Sequence, residues 1–479
     1  MGALLLIESV FMAIATGVSM WYGDADSDSF LVSTIITMSV SLYGFLFGRK
    51  ADARVGEREG YVIVACVWIV CSMFGLLPYY LSGQIPDLTD AWFETMSGFT
   101  TTGATILPDI EQLTHGALFW RATTQWLGGM GIIVLSLALL PMFGLNGMQL
   151  YAAEMNGLSY EKLSPRISDT ARHLWLTYIL LTVGLALLLW IERMPIFDAI
   201  CHALTTIATG GFSTKNLSIA YYSPLIQYTI ALFMLLSGLN FGLIILLFRG
   251  KPRRLFHDEE TRWYLSAVAA VTLVLTIGLS VVHLQYTGAV TWQSLEQAFR
   301  EGLFTTITTM TSSGFGITDY MQWTSFLWVI VFFLMFTGAS SGSTSGGIKW
   351  VRILIFAKSG VAEFKRRIHP NAIVPIKLND KPVSQGTINN VMAFMVFYIM
   401  ILVATTLAFC AVGVNFDESV GAAVSALGNI GPSIGQYGPA GTYADFPAVG
   451  KWVMTLAMLI GRLEIFTILL LFSKSLWKK

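Results

Sequence analysis

Charge is scarce in this sequence. Its 479 residues include 29 Lys or Arg and 29 Asp or Glu, 12% together, against 54% hydrophobic residues and a mean hydropathy of +0.65. Soluble domains carry about 25% charged residues, so a chain of two or three soluble domains is excluded. Cysteine is scarce as well: Cys66, Cys71, Cys201 and Cys410 show no CxxC spacing and read as free apolar thiols, not as a disulfide framework or thiolate metal site. The six histidines, His202 among them, are scattered, and neither HExxH nor GxSxG occurs. Intramembrane hydrolysis therefore lacks its recognisable machinery, and no large soluble segment is left to house an enzyme.

Apolar length, by contrast, is plentiful. Windows of about 20 residues, enough to cross a ~30 Å hydrocarbon core, lie near 3–21, 30–47, 60–82, 118–142, 170–192, 222–248, 261–283, 324–357, 387–412 and 447–473, giving ten predicted spans. The first carries Glu8 and no basic stretch ahead of it, so it is expected to stay as a helix rather than be removed as a signal peptide. Positive charge is missing from one side. With the N-terminus inside, the outer segments hold only Arg193, Lys215 and Arg300. Arg121, Arg172, Lys451 and Arg462 fall within or at the edges of spans, and every other Lys and Arg is on an inner segment. The positive-inside rule then puts both termini in the cytoplasm of a multi-pass protein of the inner (plasma) membrane.

Four outer segments align without gaps: "DAWFETMSGFTTTGAT" from Asp90, "DAICHALTTIATGGFS" from Asp198, "EGLFTTITTMTSSGFG" from Glu301 and "ESVGAAVSALGNIGPS" from Glu418. Each begins with an acid, has a hydroxyl residue seven positions on (Ser97, Thr205, Thr308, Ser425) and a glycine thirteen positions on (Gly103, Gly211, Gly314, Gly431). This is a fourfold repeat of span, re-entrant segment and span. The expected fold is an all-α polytopic membrane protein, with four parallel repeats around a pseudo-fourfold pore. Two extra N-terminal helices (1–59) precede repeats at 60–169, 170–257, 258–384 and 385–479.

Twelve helical residues rise about 18 Å, so each segment reads as a half-helix ending near the membrane midplane. The acids suit helix N-termini; capping is one reading and direct ion binding the other. Irregular backbone at such depth is tolerated only when buried in protein or facing water. Glycine there permits torsions that other residues resist and lets carbonyls turn toward an axis, where they replace the water around a bare cation. The candidate filter residues are Thr101, Thr102 and Gly103; Thr209, Gly210 and Gly211; Ser312, Ser313 and Gly314; Asn429, Ile430 and Gly431. Glycine also serves close helix packing, the reading for "GLNFG" at Gly238–Gly242 and "GGMG" at Gly128–Gly131. Four glycines in register point to the pore instead.

The third repeat's second span is interrupted by "TGASSGSTSGGIK", Thr337 to Lys349. It misses the phosphate-binding GxxxxGK[ST] pattern, because Ile348 separates Gly347 from Lys349 and no strand precedes it. Such a break must border a hydrated cavity, and its small residues suit a movable barrier over 337–347, with Gly338, Ser340, Ser341, Gly342, Gly346 and Gly347 as candidate gate residues. A kink is the simpler alternative. Arg462 lies about ten residues from either end of the last span, where a cation requires a partner or water; it is expected to donate to loop carbonyls and to repel cations from the constriction. Glu464 falls on a different helix face. The basic patches "RGKPRR" at 249–254 and "EFKRR" at 363–367 suit either a partner or lipid headgroups.

"TTTGAT", "ATGGFST", "TSSGFG" and "GNIGPS", together with the serine/glycine loop and "GRLEIFT", resemble the Trk/Ktr/HKT superfamily of potassium transporters, and the two extra helices make the chain most like its TrkH branch. The resemblance implies a potassium-selective filter with one glycine per repeat, potassium as the bound ion with no organic cofactor, the loop as an intramembrane gate, a homodimer, and a cytoplasmic ring of nucleotide-binding subunits resembling TrkA. Gly103 stands where sodium-conducting relatives carry serine, and "NIGP" from Asn429 departs most from a Thr-rich filter. A secondary transporter for an organic solute, built on broken helices, is the competing function; the parallel fourfold pattern argues against it.

Overall fold

The computed structural model describes residues 1–48, 57–129, 131, 167–287, 289 and 291–477. The inner part of the predicted span 118–142, Met130 of "GGMG", and most of the inner segments 48–59 and 143–169 lie outside the described residues. Six helices are long and apolar enough to cross a membrane: Gly2–Tyr22, Ser27–Gly48, Glu59–Ser82, Ala171–Ile191, Glu259–Gln285 and Gln385–Ala411. Two bent helix pairs, Pro224–Ser237 with Phe241–Phe248 at 106° and Ala448–Arg462 with Phe466–Phe472 at 114°, bring the candidate spans to eight if each pair is counted as one.

The first two helices form an antiparallel hairpin turned by Gly23, whose φ of 70° suits a residue without Cβ. Side-chain hydrogen bonds run along the seam, Thr16 to Thr34 at 3.1 Å and Ser19 to Asp26 at 2.8 Å. Asp26 also accepts from Gln84 and Thr114, and Asp24 accepts from the Gly116 N–H, which fastens the hairpin tip to the first repeat. Outward-facing Leu31, Ile35, Leu176, Leu180 and Ile399 remain exposed, as an apolar solvent requires.

The bends depart from the sequence expectation, which ran 222–248 and 447–473 as unbroken spans. Asn240 starts a new helix, its Oδ1 accepting from the Gly242 and Leu243 N–H groups. Glu464 and Ile465 have positive φ, 52° and 26°, a conformation that strains a β-branched residue. Both breaks sit beside the loop that interrupts the third repeat.

Four helices match the expected half-helices: Leu88–Phe99, Ile196–Ile207, Trp292–Met310 and Phe416–Gly428. Asp90, Asp198 and Glu418 lie in the first turns of theirs. The third differs. It starts at Trp292 with a Thr291/Ser294 capping box, so Glu301 is mid-helix and does not cap, because a further amphipathic stretch extends the helix outward.

Candidate functional site: four strands closed into a ring

The four half-helices end in one backbone pattern. Thr101, Thr209, Ser312 and Asn429 all adopt the left-handed conformation, with φ of 54°, 52°, 52° and 51°. Two residues later Gly103, Gly211, Gly314 and Gly431 follow with φ of 78°, 80°, 76° and 97°. The residue between them, Thr102, Gly210, Ser313 or Ile430, donates its N–H to the carbonyl of Ser97, Thr205, Thr308 or Ser425, at 2.9, 2.9, 2.8 and 3.0 Å. The hydroxyl position of the repeat is thus the point at which each strand is stapled back to its helix. Non-glycine residues at positive φ cost of order 1–3 kcal/mol, so four in register mark a constrained feature.

The strands also close on one another. A Cβ built on Gly103 would lie closer than 3.0 Å to the carbonyl oxygen of Gly210; on Gly211, to that of Ser313; on Gly314, to that of Ile430; and on Gly431, to that of Thr102. Each repeat's glycine therefore abuts the carbonyl of the next, and the fourth returns to the first. Only a residue without a side chain fits at the four junctions, and the order 1-2-3-4 defines the pseudo-fourfold axis.

Buried polar side chains back the ring. Glu94 pairs with Arg121 at 2.6 Å and accepts from Thr105 Oγ1 and the Ile106 N–H, both at 3.0 Å, while Arg121 reaches the Ser213 carbonyl at 3.0 Å and lies over the Phe212 ring. This pair joins the first and second strands. Asp90 pairs with Lys451 at 2.6 Å, joining the first repeat to the fourth. Asp198 accepts from Thr214, and His202 lies against the Asp198 carbonyl and the Ser213 hydroxyl, a satisfied core histidine. Ser97 and Ser425 donate to the Ala104 and Gly431 carbonyls at 2.6 and 2.8 Å.

The loop lies against the ring. Its ends are pinned by a Thr337–Ile348 bridge, and the close approach of Gly338 to the Gly346 carbonyl leaves no space for a Cβ; Gly342 and Gly347 have φ of 72° and 68°. The Gly346 N–H donates to Ser312 Oγ at 2.6 Å, and Thr209 donates to Thr344 Oγ1 at 3.2 Å. Two of the four left-handed side chains thus hold the loop, whereas Thr101 Oγ1 and Asn429 Oδ1 are buried with no hydrogen-bond partner among the described residues. From the side, Ser340 donates its N–H to the Gly238 carbonyl, Asn240 reaches the Ser341 carbonyl, and Gly342 accepts from the Phe241 N–H. Arg462 donates to the carbonyls of Thr344 at 2.8 Å, Gly128 at 2.5 Å and Gly129 at 2.8 Å.

Every filter and gate residue singled out from the sequence falls on the ring, on the loop or in contact with it. Sequence reasoning missed several partners. "GLNFG" is the seat of the loop as well as a packing contact. Glu260, 1% exposed, accepts from the Ser341 and Val351 N–H groups. Thr344 joins the loop to three elements, and Glu464 pairs with Arg352. Asn240, a polar residue between apolar stretches, was the available signal; Glu260 stands in the charged run Asp258-Glu259-Glu260 and gave none.

The family model for TrkH, a cation transport protein, matches residues 28–479. The Trk system potassium uptake protein TrkH of Salmonella typhimurium is 39% identical over 483 residues, covering 100% of this chain and 98% of that one; TrkH of Halomonas elongata is 36% identical with the same coverage. The crystal structure of the potassium transporter TrkH from Vibrio parahaemolyticus superposes with a TM-score of 0.88 at 34% identity, over 100% of this chain and 98% of that one. A multi-pass membrane protein with four re-entrant repeats, this chain belongs to the TrkH family of cation transport proteins, which are transporters and not enzymes.

Proposed function

We propose that the chain is the potassium-conducting subunit of a Trk-type uptake system, with the repeats bounded at 60–169, 170–257, 258–384 and 385–479. The observation that carries this reading is the closed ring, in which four glycines each abut the next repeat's carbonyl. Its chemistry is dehydration. Carbonyls of the twelve filter residues, Thr101–Gly103, Thr209–Gly211, Ser312–Gly314 and Asn429–Gly431, replace the water of a bare cation, and the C-terminal ends of four half-helices add negative potential. Potassium is favoured by Gly103 in the first repeat and by the names of the relatives.

The loop 337–347 acts as the gate, through Gly338, Ser340, Ser341, Gly342, Gly346 and Gly347. Arg462 latches it and places positive charge at the constriction. The protein works as a homodimer with both termini cytoplasmic, and a nucleotide-binding ring resembling TrkA moves the loop. Entry follows the inside-negative potential, about 2.3 kcal/mol per charge per 100 mV.

Tracer rubidium uptake into proteoliposomes tests this, with potassium or sodium as competitor and a deletion of 338–347 beside the wild type. Uptake that potassium blocks and sodium does not, rising on deletion, is the expected result. Sodium competing as well as potassium, or no flux from either protein, overturns it.

A further inference from the structure

We propose that Gln125 is a specificity-determining residue: its side-chain amide spans Gly211 and holds the second re-entrant strand at the spacing a large alkali cation needs. This rests on the filter reading above.

Gln125 lies in the helix His115–Gly129 of the first repeat and is 0% exposed. Its Nε2 donates to the Gly210 carbonyl at 2.6 Å, and its Oε1 accepts from the Phe212 N–H at 3.1 Å. The two bonded residues flank Gly211. With an acceptor at one end and a donor at the other, a single orientation of the amide satisfies both. The fit is close, since a Cβ on Gly210 would collide with the carboxamide, and Nε2 would be 3.6 Å from a Cβ on Gly103. The amide therefore sits between the first and second strands.

Among the described residues, no other side chain brackets a filter glycine by bonding the residues on both sides of it. Each repeat has a glycine near the C-terminal end of the helix that follows its strand, Gly128, Gly238, Gly338 and Gly461, pressed against neighbouring atoms. Three residues ahead of them stand Gln125, Leu235, Met335 and Met458. Among the described residues, Gly210 is the member of the set Thr102, Gly210, Ser313 and Ile430 whose carbonyl accepts a side-chain hydrogen bond. A buried carbonyl held at both lone pairs or by a fixed donor rotates less freely, and an amide left unpaired there costs more than the bond is worth. The bracket thus opposes the inward shift of the strand that a smaller ion such as sodium requires.

The test is rubidium uptake by cells that lack other potassium uptake and express the full chain with its partner, reading the maximal rate and the inhibition constants for potassium and sodium separately. Gln125→Met removes both bonds with little change in volume. Gln125→Leu also removes both bonds and is close in size, so it carries the test where the first variant folds poorly. In both, sodium is expected to compete about tenfold better relative to potassium, about 1.4 kcal/mol of discrimination, with the maximal rate per molecule at the membrane changed far less. A wild type that discriminates and variants with an unchanged sodium-to-potassium ratio, whatever their maximal rate, overturn the role of Gln125 alone. A wild type that does not discriminate overturns the filter reading and this inference together.

Discussion

Arg462 donates a hydrogen bond of 2.8 Å to the carbonyl of Thr344, so the last span grips the loop of the third repeat across 118 residues of sequence. The guanidinium also binds the carbonyls of Gly128 and Gly129, which makes it the clasp between the first, third and fourth repeats beside the ring.

Removing that clasp is expected to loosen the loop. Arg462→Ala deletes three charge-assisted hydrogen bonds, each worth about 1.5–3 kcal/mol, and a positive charge. Partner-independent rubidium flux should rise above wild type, and Arg462→Lys, a point charge without the planar fork, should fall between the two. Flux unchanged in Arg462→Ala would remove Arg462 from gating.

The junction glycines should tolerate no side chain. Gly211→Ala forces a Cβ into the Ser313 carbonyl at a φ of 80°, and selective uptake is expected to be lost. Gly184→Ala is the control, because a Cβ there meets nothing within 4 Å and alanine favours a helix by about 1 kcal/mol over glycine. Equal behaviour of the two variants would contradict the packing described for the ring.

The Glu94–Arg121 pair is a test of burial. Arg121→Met leaves the Glu94 carboxylate buried and unpaired, a loss of about 3–5 kcal/mol, while Glu94→Gln combined with Arg121→Met should recover part of it. Thermal unfolding in detergent reads both; a double variant less stable than Arg121→Met alone would contradict the pairing.

The hydroxyl positions should differ among repeats. Ser97→Ala and Ser425→Ala each remove a bond to a strand carbonyl, about 1 kcal/mol. Thr308 Oγ1 is buried with no hydrogen-bond partner among the described residues, and Thr308 borders a cavity of about 10 Å³ near Thr305, Tyr320 and Pro432. Thr308→Val should leave the unfolding midpoint unchanged or raised. A drop matching that of Ser97→Ala would mean that a water fills the cavity and bonds Thr308.

The ring was legible in the sequence because its signal is local: acid, hydroxyl and glycine recur at fixed offsets within single segments. The four-repeat fold and the two extra helices followed from that spacing and from apolar length. The bends at Gly238–Asn240 and Leu463–Ile465 were not legible as breaks, since single polar residues such as Asn240 and Glu464 occur within otherwise apolar windows and the partner that favours each break lies elsewhere in the chain. Glu301 was misplaced because the acid marks a repeat register, not a helix start, once the helix is extended outward to Trp292. Gln125, Asn240 and Glu260 act on residues 85, 101 and 81 positions away, and no local pattern encodes such pairings.

The most direct measurement is diffraction from crystals of the protein grown in rubidium, read by anomalous scattering. A peak on the pseudo-fourfold axis, among the carbonyls of Thr102, Gly210, Ser313 and Ile430, is the expected result. A ring empty of rubidium while the ion occupies another site in the protein would contradict its assignment as the cation filter.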